Sequence, residues 1–293
     1  MNIIIALIVG FSSGALYALI GVGLTLMSVL TRVVNFSLVA VGVFGAYLSI
    51  RSAPLLLTLP PAAQTAITVV IAVIVAAIVS GILGWVEATW LSEATTTARS
   101  AVTVASLLLL ISLSFILFGS QPQPLRPLLI GPLFLVGQVA ITKVGVAMLV
   151  AAIVVAIATW LIVSHTPLGV RLRAVSDRQT AAELLGVNVK ALQVGVWVAV
   201  GAVMGLCVSI IGNTAAADAT SMITLIIPGT AAALVGAFKS LPLTIIGGLV
   251  VGALQGALTA FPSTTQLRDW IPILIIVLFL LWNQRKEVWD VAR

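Results

Sequence analysis

Charged side chains are scarce in this sequence. Its 293 residues include 14 lysines and arginines and eight aspartates and glutamates, which together make 8% of the chain, against about 25% in an average soluble domain. Hydrophobic residues make up 61%, and the mean hydropathy is +1.27. So few charged groups cannot cover a surface that faces water, and a chain this apolar does not remain solvated and disordered. The composition excludes a soluble enzyme and indicates a polytopic membrane protein.

Cysteine and histidine are nearly absent, each occurring once, as Cys207 and His165. One cysteine cannot form an internal disulfide, and one histidine cannot build a metal site alone. The Gly-x4-Gly-Lys-[Ser/Thr] motif that cradles ATP phosphates does not occur. We therefore expect no metal and no cofactor on this chain, so that any ATP is hydrolysed by a partner. A membrane enzyme is disfavoured because paired carboxylates and histidine clusters are missing.

What the sequence has instead is a series of long apolar runs. Because about 20 residues of helix cross a bilayer, these runs predict an all-α protein with about eight to nine transmembrane helices. We expect one transmembrane domain over residues 1–293. The predicted segments are 3–30, 37–50, 65–86, 101–119, 144–164, 191–211, 221–238, 242–260 and 269–283.

The basic residues are distributed unevenly between the two predicted sides of the membrane. Alternating the loops places ten lysines and arginines on one side and four on the other. Because cytoplasmic loops are enriched in basic residues, the side with ten is predicted to be cytoplasmic. The N-terminus would then lie outside and the C-terminus inside. This distribution follows membrane topology, and we expect no nucleic-acid partner.

One long polar segment, residues 165–190, separates two apolar runs on the predicted cytoplasmic side. Ser176 with Gln179, or Thr180 with Glu183, has the spacing of a capping box, and Gly186 suits a helix stop. We expect a short helix over about 177–185, with Asp177 at its N-terminal end. Two turns of helix are not stable alone. This helix either docks into a groove of a partner protein or lies on the lipid surface.

Polar side chains within the apolar runs are candidates for a solute path, because an unpaired polar group in hydrocarbon costs several kcal/mol. We consider Tyr17, Asn35 and Gln255, together with Phe36 beside the asparagine. The alternative is that such groups bond their own helix or a neighbouring one. No charged residue is predicted at the middle of a run, which disfavours a proton-coupled carrier. Glycines spaced by four, as in Gly10 with Gly14 and Gly248 with Gly252, indicate close helix packing.

Three segments resemble the permeases of branched-chain amino acid ABC transporters. Residues 169–189 (GVRLRAVSDRQTAAELLGVNV) are similar to the cytoplasmic coupling loop of that family. Residues 14–26 (GALYALIGVGLTL), followed by Val34-Asn35-Phe36, resemble its first span, and residues 245–255 (IIGGLVVGALQ) resemble its glycine-rich penultimate span. The chain departs from the family at Ser37-Leu38-Val39, where Ala-His-Gly is usual.

The resemblance implies a multi-pass permease of the cytoplasmic (inner) membrane. Its implied partners are membrane lipid, a second permease subunit, two cytoplasmic subunits that bind ATP and Mg²⁺, and an extracytoplasmic solute-binding protein. The implied solute is a branched-chain or related amino acid, and relatives are associated with urea and short amides. The implied coupling residues are Arg173, Asp177, Ala181, Ala182, Glu183, Leu184 and Gly186. The alternative is a stand-alone secondary carrier or facilitator.

Overall fold

A computed structural model describes residues 3–119, 129, 131–136, 139–211 and 219–291. Nearly all of these residues lie in α-helices. The helices are α1 (Ile3–Thr31), α2 (Leu38–Ile50), α3 (Pro61–Trp90), α4 (Thr96–Phe118), α5 (Lys143–His165), α6 (Pro167–Asp177), α7 (Gln179–Leu184), α8 (Val189–Ile211), α9 (Ala219–Ile223), α10 (Ile226–Val235), α11 (Leu241–Leu258) and α12 (Ile271–Val291). Two short strands, β1 (Pro132–Val136) and β2 (Val139–Thr142), pair antiparallel, and 3₁₀ turns cover Ala53–Leu56 and Pro262–Trp270.

Six helices in the described part of the chain are long and apolar enough to cross a membrane. They are α1 from Ala6 onward, α3, α4, α5, α8 and α11. At 1.5 Å per residue, a helix of about 20 residues matches the hydrocarbon thickness. The shorter apolar helices are α2 and the stretch formed by α9 and α10. The all-α polytopic fold is confirmed, and the count of eight to nine crossings stays a prediction.

The predicted apolar runs correspond to helices, with bounds that differ by up to eight residues, at the end of α12. The run 221–238 is divided, because the chain turns at residues 224–225 between α9 and α10. The run 65–86 is longer than expected, since α3 already begins at Pro61 and continues to Trp90. Proline suits the first turn of a helix, where its missing N–H would have no partner.

The chain divides into two compact units. The first unit comprises Met1–Thr25, Gly131–Val154 and Ile227–Arg293, and the second comprises Leu26–Ile130 and Val155–Ile226. Each unit therefore combines segments that are distant in sequence. The assignment of residues 1–293 to one transmembrane domain stays a prediction.

In the first unit, α1 and α11 pack through glycines. A Cβ atom added at Gly14 would lie 2.8 Å from the carbonyl oxygen of Gly248, and one added at Gly252 would overlap the backbone of Gly14. The two backbones are thus in contact, which only residues without a side chain allow. The glycine spacing predicted this close packing, and the structure shows that it occurs within the chain.

In the second unit, α3 packs along α8. A Cβ atom added at Gly84 would lie 2.6 Å from Trp197 Cβ, and the Ser80 hydroxyl donates to the Trp197 carbonyl oxygen at 2.6 Å. Small residues on α3 thus accommodate a buried indole of α8. In the same unit, α2 is buried along most of its length, between α3, α8 and the other helices.

The polar segment 165–190 differs from its prediction, because it forms two helices instead of one. Thr166 caps α6, its hydroxyl accepting from Gly169 N at 3.1 Å, and Pro167 occupies the first turn. The backbone becomes extended at Arg178, so Asp177 ends α6 and does not begin a helix. Neither predicted capping box forms, since α7 has no side-chain cap.

Candidate functional site

The end of α7 presents an apolar tip that has no cover within the described part of the chain. Leu184 is 90% exposed and Leu185 is 81% exposed. On the opposite side, Ala182 is 1% exposed and packs with Val175 and Val189. This inner contact holds α7 against α6 and α8, so that the two leucines point away from the protein. We call Leu184 and Leu185 the leucine tip.

Gly186 determines how the leucine tip is presented. It has a φ of +80°, a conformation that costs glycine little. Its N–H donates to Glu183 O at 2.9 Å, and Val187 N donates to Ala182 O at 3.0 Å. These two bonds form a Schellman motif, which satisfies the last carbonyl groups of the helix. The helix stop predicted at Gly186 is confirmed.

All seven residues implied for coupling lie on α6, on α7 or in the turn that follows α7. Ala182 faces inward, and the other six are exposed: Arg173, Asp177, Ala181, Glu183, Leu184 and Gly186. None of the three charged ones forms an ion pair within the described residues. The carboxylate of Glu183 accepts a long hydrogen bond from Gln179 Nε2, at 3.3 Å. Their charges are therefore free to meet a partner.

Two hydrogen bonds join the end of α6 to the end of α1 within the second unit. Arg32 Nη2 donates to Asp177 O at 2.9 Å, and the Ser176 hydroxyl donates to Val29 O at 2.7 Å. Arg32 itself has a φ of +56°, which is unusual for a residue other than glycine. Sequence reasoning missed this junction, since both acceptors are backbone atoms that leave no trace in the sequence.

The break between α1 and α2 is built around Asn35, which is fully buried. Its Oδ1 accepts from Ser37 N at 3.0 Å and from the Ser37 hydroxyl at 2.7 Å. This Asx turn fixes the backbone just before α2, whose N-cap residue, Ser37, makes no side-chain capping bond. The Nδ2 of Asn35 is buried without a hydrogen-bond partner, which is rare and costly for a polar atom.

Thr103 of α4 supports the same break from outside. Its Oγ1 accepts from Phe36 N at 3.1 Å and lies 3.1 Å from Val34 O. The same hydroxyl lies 2.7 Å from Ser100 O of its own helix, so the bond that it accepts from Phe36 N is the one that ties α4 to the break. This second role was not apparent from the sequence, because a threonine in an apolar run more often bonds only its own helix.

The other two residues considered for a solute path, Tyr17 and Gln255, belong to the first unit, whereas Asn35 and Phe36 belong to the second. Both Tyr17 and Gln255 are buried. Gln255 Nε2 donates to Arg268 O at 3.1 Å, so this amide has a structural partner. In the same unit, the hydroxyls of Thr25 and Thr244 lie 3.0 Å apart.

A buried ion pair was also missed. Arg99 Nε lies 2.7 Å from Glu87 Oε1, joining the end of α3 to the start of α4, and both side chains are nearly inaccessible. Glu87 Oε2 is buried without a partner. The short connection between α3 and α4 brings these two residues together. Their opposite charges on either side of this connection were the signal from which the sequence could have predicted the pair.

Apolar helices of membrane length, close glycine packing and a polar helix pair with an exposed tip define a polytopic α-helical membrane protein. The chain belongs to the family of branched-chain amino acid transport system permease components, whose family model matches residues 6–280. No curated protein compared with the chain shows significant similarity to it. Members of this family are membrane subunits of transport systems and not catalytic enzymes, which agrees with the expectation from composition.

Proposed function

We propose that this protein is the permease subunit of an ABC importer for a branched-chain or related amino acid. A second permease subunit completes the path across the cytoplasmic membrane, and two cytoplasmic subunits bind and hydrolyse ATP with Mg²⁺. An extracytoplasmic binding protein delivers the solute. Family membership supports the permease role, and the observation that carries the coupling role is the exposed leucine tip.

The leucine tip is the contact with the ATP-hydrolysing subunit. Docking a short helix into a groove of a partner buries apolar side chains that the free protein leaves in water. Leu184 and Leu185 supply those side chains, and Ala182 holds the helix from behind. Arg173, Asp177 and Glu183 are exposed on the same pair of helices and carry both signs of charge, which sets the register of docking more than its strength.

Movement of the docked helix reaches the spans through the junction at Arg32 and Ser176. ATP binding closes the two ATPase subunits and displaces α6 and α7, and hydrolysis resets them. Because both hydrogen bonds of the junction end on the last turns of α1 and α6, this displacement acts on the segment just before Asn35. In this way ATP drives the change between inward-facing and outward-facing spans.

Asn35 is the residue we assign most firmly to the solute path. Its Nδ2 is an unused donor in a buried position, and such a group gains about 1 to 3 kcal/mol when it finds an acceptor. A carboxylate or carbonyl oxygen of the solute is an acceptor of this kind. Tyr17, Phe36 and Gln255 remain proposed path residues with less support.

Co-purification of the tagged chain from its native membrane, with assays of ATPase activity and uptake, tests the proposal. We expect ATP-binding subunits to co-purify with the wild type and to be lost with Glu183→Lys or Leu184→Asp. Glu93→Lys is the matched control, because Glu93 is equally exposed and on the same predicted side. Leu55→Asp controls for the leucine, since Leu55 is 83% exposed on the predicted outer side.

Unchanged uptake by the Glu183→Lys variant would contradict the coupling role of α7. If the chain is recovered alone and supports uptake in proteoliposomes without ATP, the protein is a stand-alone carrier or facilitator. The orientation is tested separately, by introducing Leu55→Cys or Leu184→Cys together with Cys207→Ser, and by labelling with a membrane-impermeant thiol reagent in intact cells and in inverted vesicles.

A further inference from the structure

The two ends of the Asn35 amide group have opposite environments, although the whole residue is buried. The oxygen, Oδ1, accepts two hydrogen bonds from Ser37, one from the backbone N–H at 3.0 Å and one from the hydroxyl at 2.7 Å. The nitrogen, Nδ2, has no hydrogen-bond partner among the described residues. An amide oxygen has two lone pairs. Ser37 therefore uses the whole accepting capacity of this amide, and only donors remain.

The backbone of Ser37 fixes which end of the amide is left unbonded. A backbone N–H can only donate, so the Asn35 atom that faces Ser37 N is the acceptor Oδ1. If the amide were turned over, Nδ2 would face this N–H and two donors would oppose each other at 3.0 Å. The unbonded end of Asn35 is thus a hydrogen-bond donor.

This donor lies within the spans and not at their ends. The residue after Asn35, Phe36, donates its N–H to Thr103 Oγ1 at 3.1 Å. Thr103 is the eighth residue of α4, which covers Thr96–Phe118. At 1.5 Å per residue, the contact is about 10 Å from one end of α4 and about 22 Å from the other. An unpaired polar group is costly at such a position, and the acceptor of a ligand would remove this cost.

The two charged ends of an amino acid differ in their fit to this amide. A carboxylate only accepts hydrogen bonds, and an ammonium group only donates them. The carboxylate matches the two N–H groups of Asn35 Nδ2, and a hydrogen bond to a charged acceptor is stronger than a neutral one. The ammonium group would meet a donor there, and it would find both lone pairs of Oδ1 in use by Ser37.

We propose that Ser37 is a specificity-determining residue, which makes Asn35 a pure donor and so directs the carboxylate end of the solute to this asparagine. The inference rests on the proposed function, because it takes Asn35 to lie on the solute path. It adds the orientation of the solute and the residue that excludes the ammonium end. The Ser37 hydroxyl is needed for this exclusion, since the backbone N–H alone would leave one lone pair of Oδ1 free.

Saturation-transfer difference NMR of the purified full chain, with the subunits that co-purify, tests the orientation. Two ligands each keep the leucine side chain and one charged end: isocaproate keeps the carboxylate, and isoamylamine keeps the ammonium group. The solute-binding protein is omitted, so that its own selectivity does not enter. We expect the wild type to bind isocaproate about tenfold more tightly than isoamylamine, the effect of one hydrogen bond to a charged group.

Three variants separate the roles of the two residues. Ser37→Ala frees one lone pair of Oδ1 for the ammonium group, so most of the preference for isocaproate should be lost. Asn35→Asp keeps an acceptor for Ser37 but replaces Nδ2 by a second acceptor, so the preference should reverse. Ser49→Ala is the matched control, because Ser49 is a buried serine of α2 whose hydroxyl donates to Ala46 O at 2.6 Å. It should keep the wild-type preference.

Equal binding of the two ligands by the wild type would overturn the inference. An unchanged preference in Ser37→Ala would overturn it as well, and this result can be obtained even if Asn35→Asp fails to fold. Failure of the proposed function is seen separately, as the absence of ATP-binding subunits from the purified material. The inference on Ser37 fails when these subunits are present and the preference is not.

Discussion

The junction between α1 and α6 leads to a prediction that separates coupling from stability. Arg32 contributes in two opposite ways. Its guanidinium donates to Asp177 O at 2.9 Å in an exposed position, which stabilises the fold by about 1 kcal/mol. Its φ of +56°, however, costs a residue other than glycine about 1 kcal/mol. The hydrogen bond of the Arg32 side chain therefore offsets the strain of its backbone.

Two substitutions distinguish these contributions. Arg32→Ala loses the hydrogen bond and keeps the strain, so the free energy of unfolding should fall by about 1 kcal/mol. Arg32→Gly loses the same bond but adopts the left-handed conformation easily, so its stability should stay close to that of the wild type. In thermal unfolding of the purified chain, the difference between the variants should be about 2 °C.

Transport should respond differently from stability. Because both variants lack the bond from Arg32 to α6, both should lose most ATP-dependent uptake of leucine when reconstituted with their partner subunits. Arg32→Gly is the informative variant, since it combines normal stability with a junction that keeps only the bond from Ser176 to Val29 O. Normal uptake by this variant would refute the idea that motion passes through Arg32. A lower melting temperature for the glycine variant than for the alanine variant would refute the strain argument.

Three further predictions concern stability. Gly252→Leu should abolish the monodisperse peak in size-exclusion chromatography, because its Cβ overlaps the backbone of Gly14; Gly195→Leu, which meets open space, should elute normally. Arg99→Ala should lower the free energy of unfolding by about 3 to 5 kcal/mol, since it leaves a buried carboxylate unpaired. Adding Glu87→Ala should recover part of this loss. Equal free energies of unfolding for the single and the double variant would contradict this prediction. Asn35→Ala should cost about 1 kcal/mol, because it removes the acceptor of the Ser37 N–H and hydroxyl. An unchanged melting curve would show that the Asx turn is not needed.

The sequence alone was sufficient to predict the long apolar helices. Runs such as 144–164 and 191–211 predicted α5 and α8 to within a few residues, because the hydrophobic length needed to cross a bilayer is a local property. The same holds for Gly186, whose left-handed conformation ends α7 as its neighbours indicated. Local signals were less reliable where two helix-start signals competed within the polar segment. Thr166 and Pro167 begin a helix that ends at Asp177, whereas the capping boxes predicted that a helix begins there.

The partners of buried polar groups could not be predicted. Asn35 was considered for the solute path from its position, yet the structure shows that its oxygen first serves the backbone of Ser37. The pairing of Glu87 with Arg99 was not foreseen. In each case the deciding contact is with a residue of another element or turn. Such contacts depend on how the chain packs.

By itself, the sequence determined that this protein lies in a membrane, which long apolar segments are helical and which segment is polar, since each of these follows from the transfer free energy of consecutive residues. Only the tertiary structure decided which face of α7 is free, which groups join α6 to α1, and which end of the Asn35 amide is bonded. The physical reason is that burial and hydrogen bonding depend on neighbours that are distant in sequence. Leu184 is exposed and Ala182 is buried although they are two residues apart, because Val175 and Val189 pack on one side of the helix only.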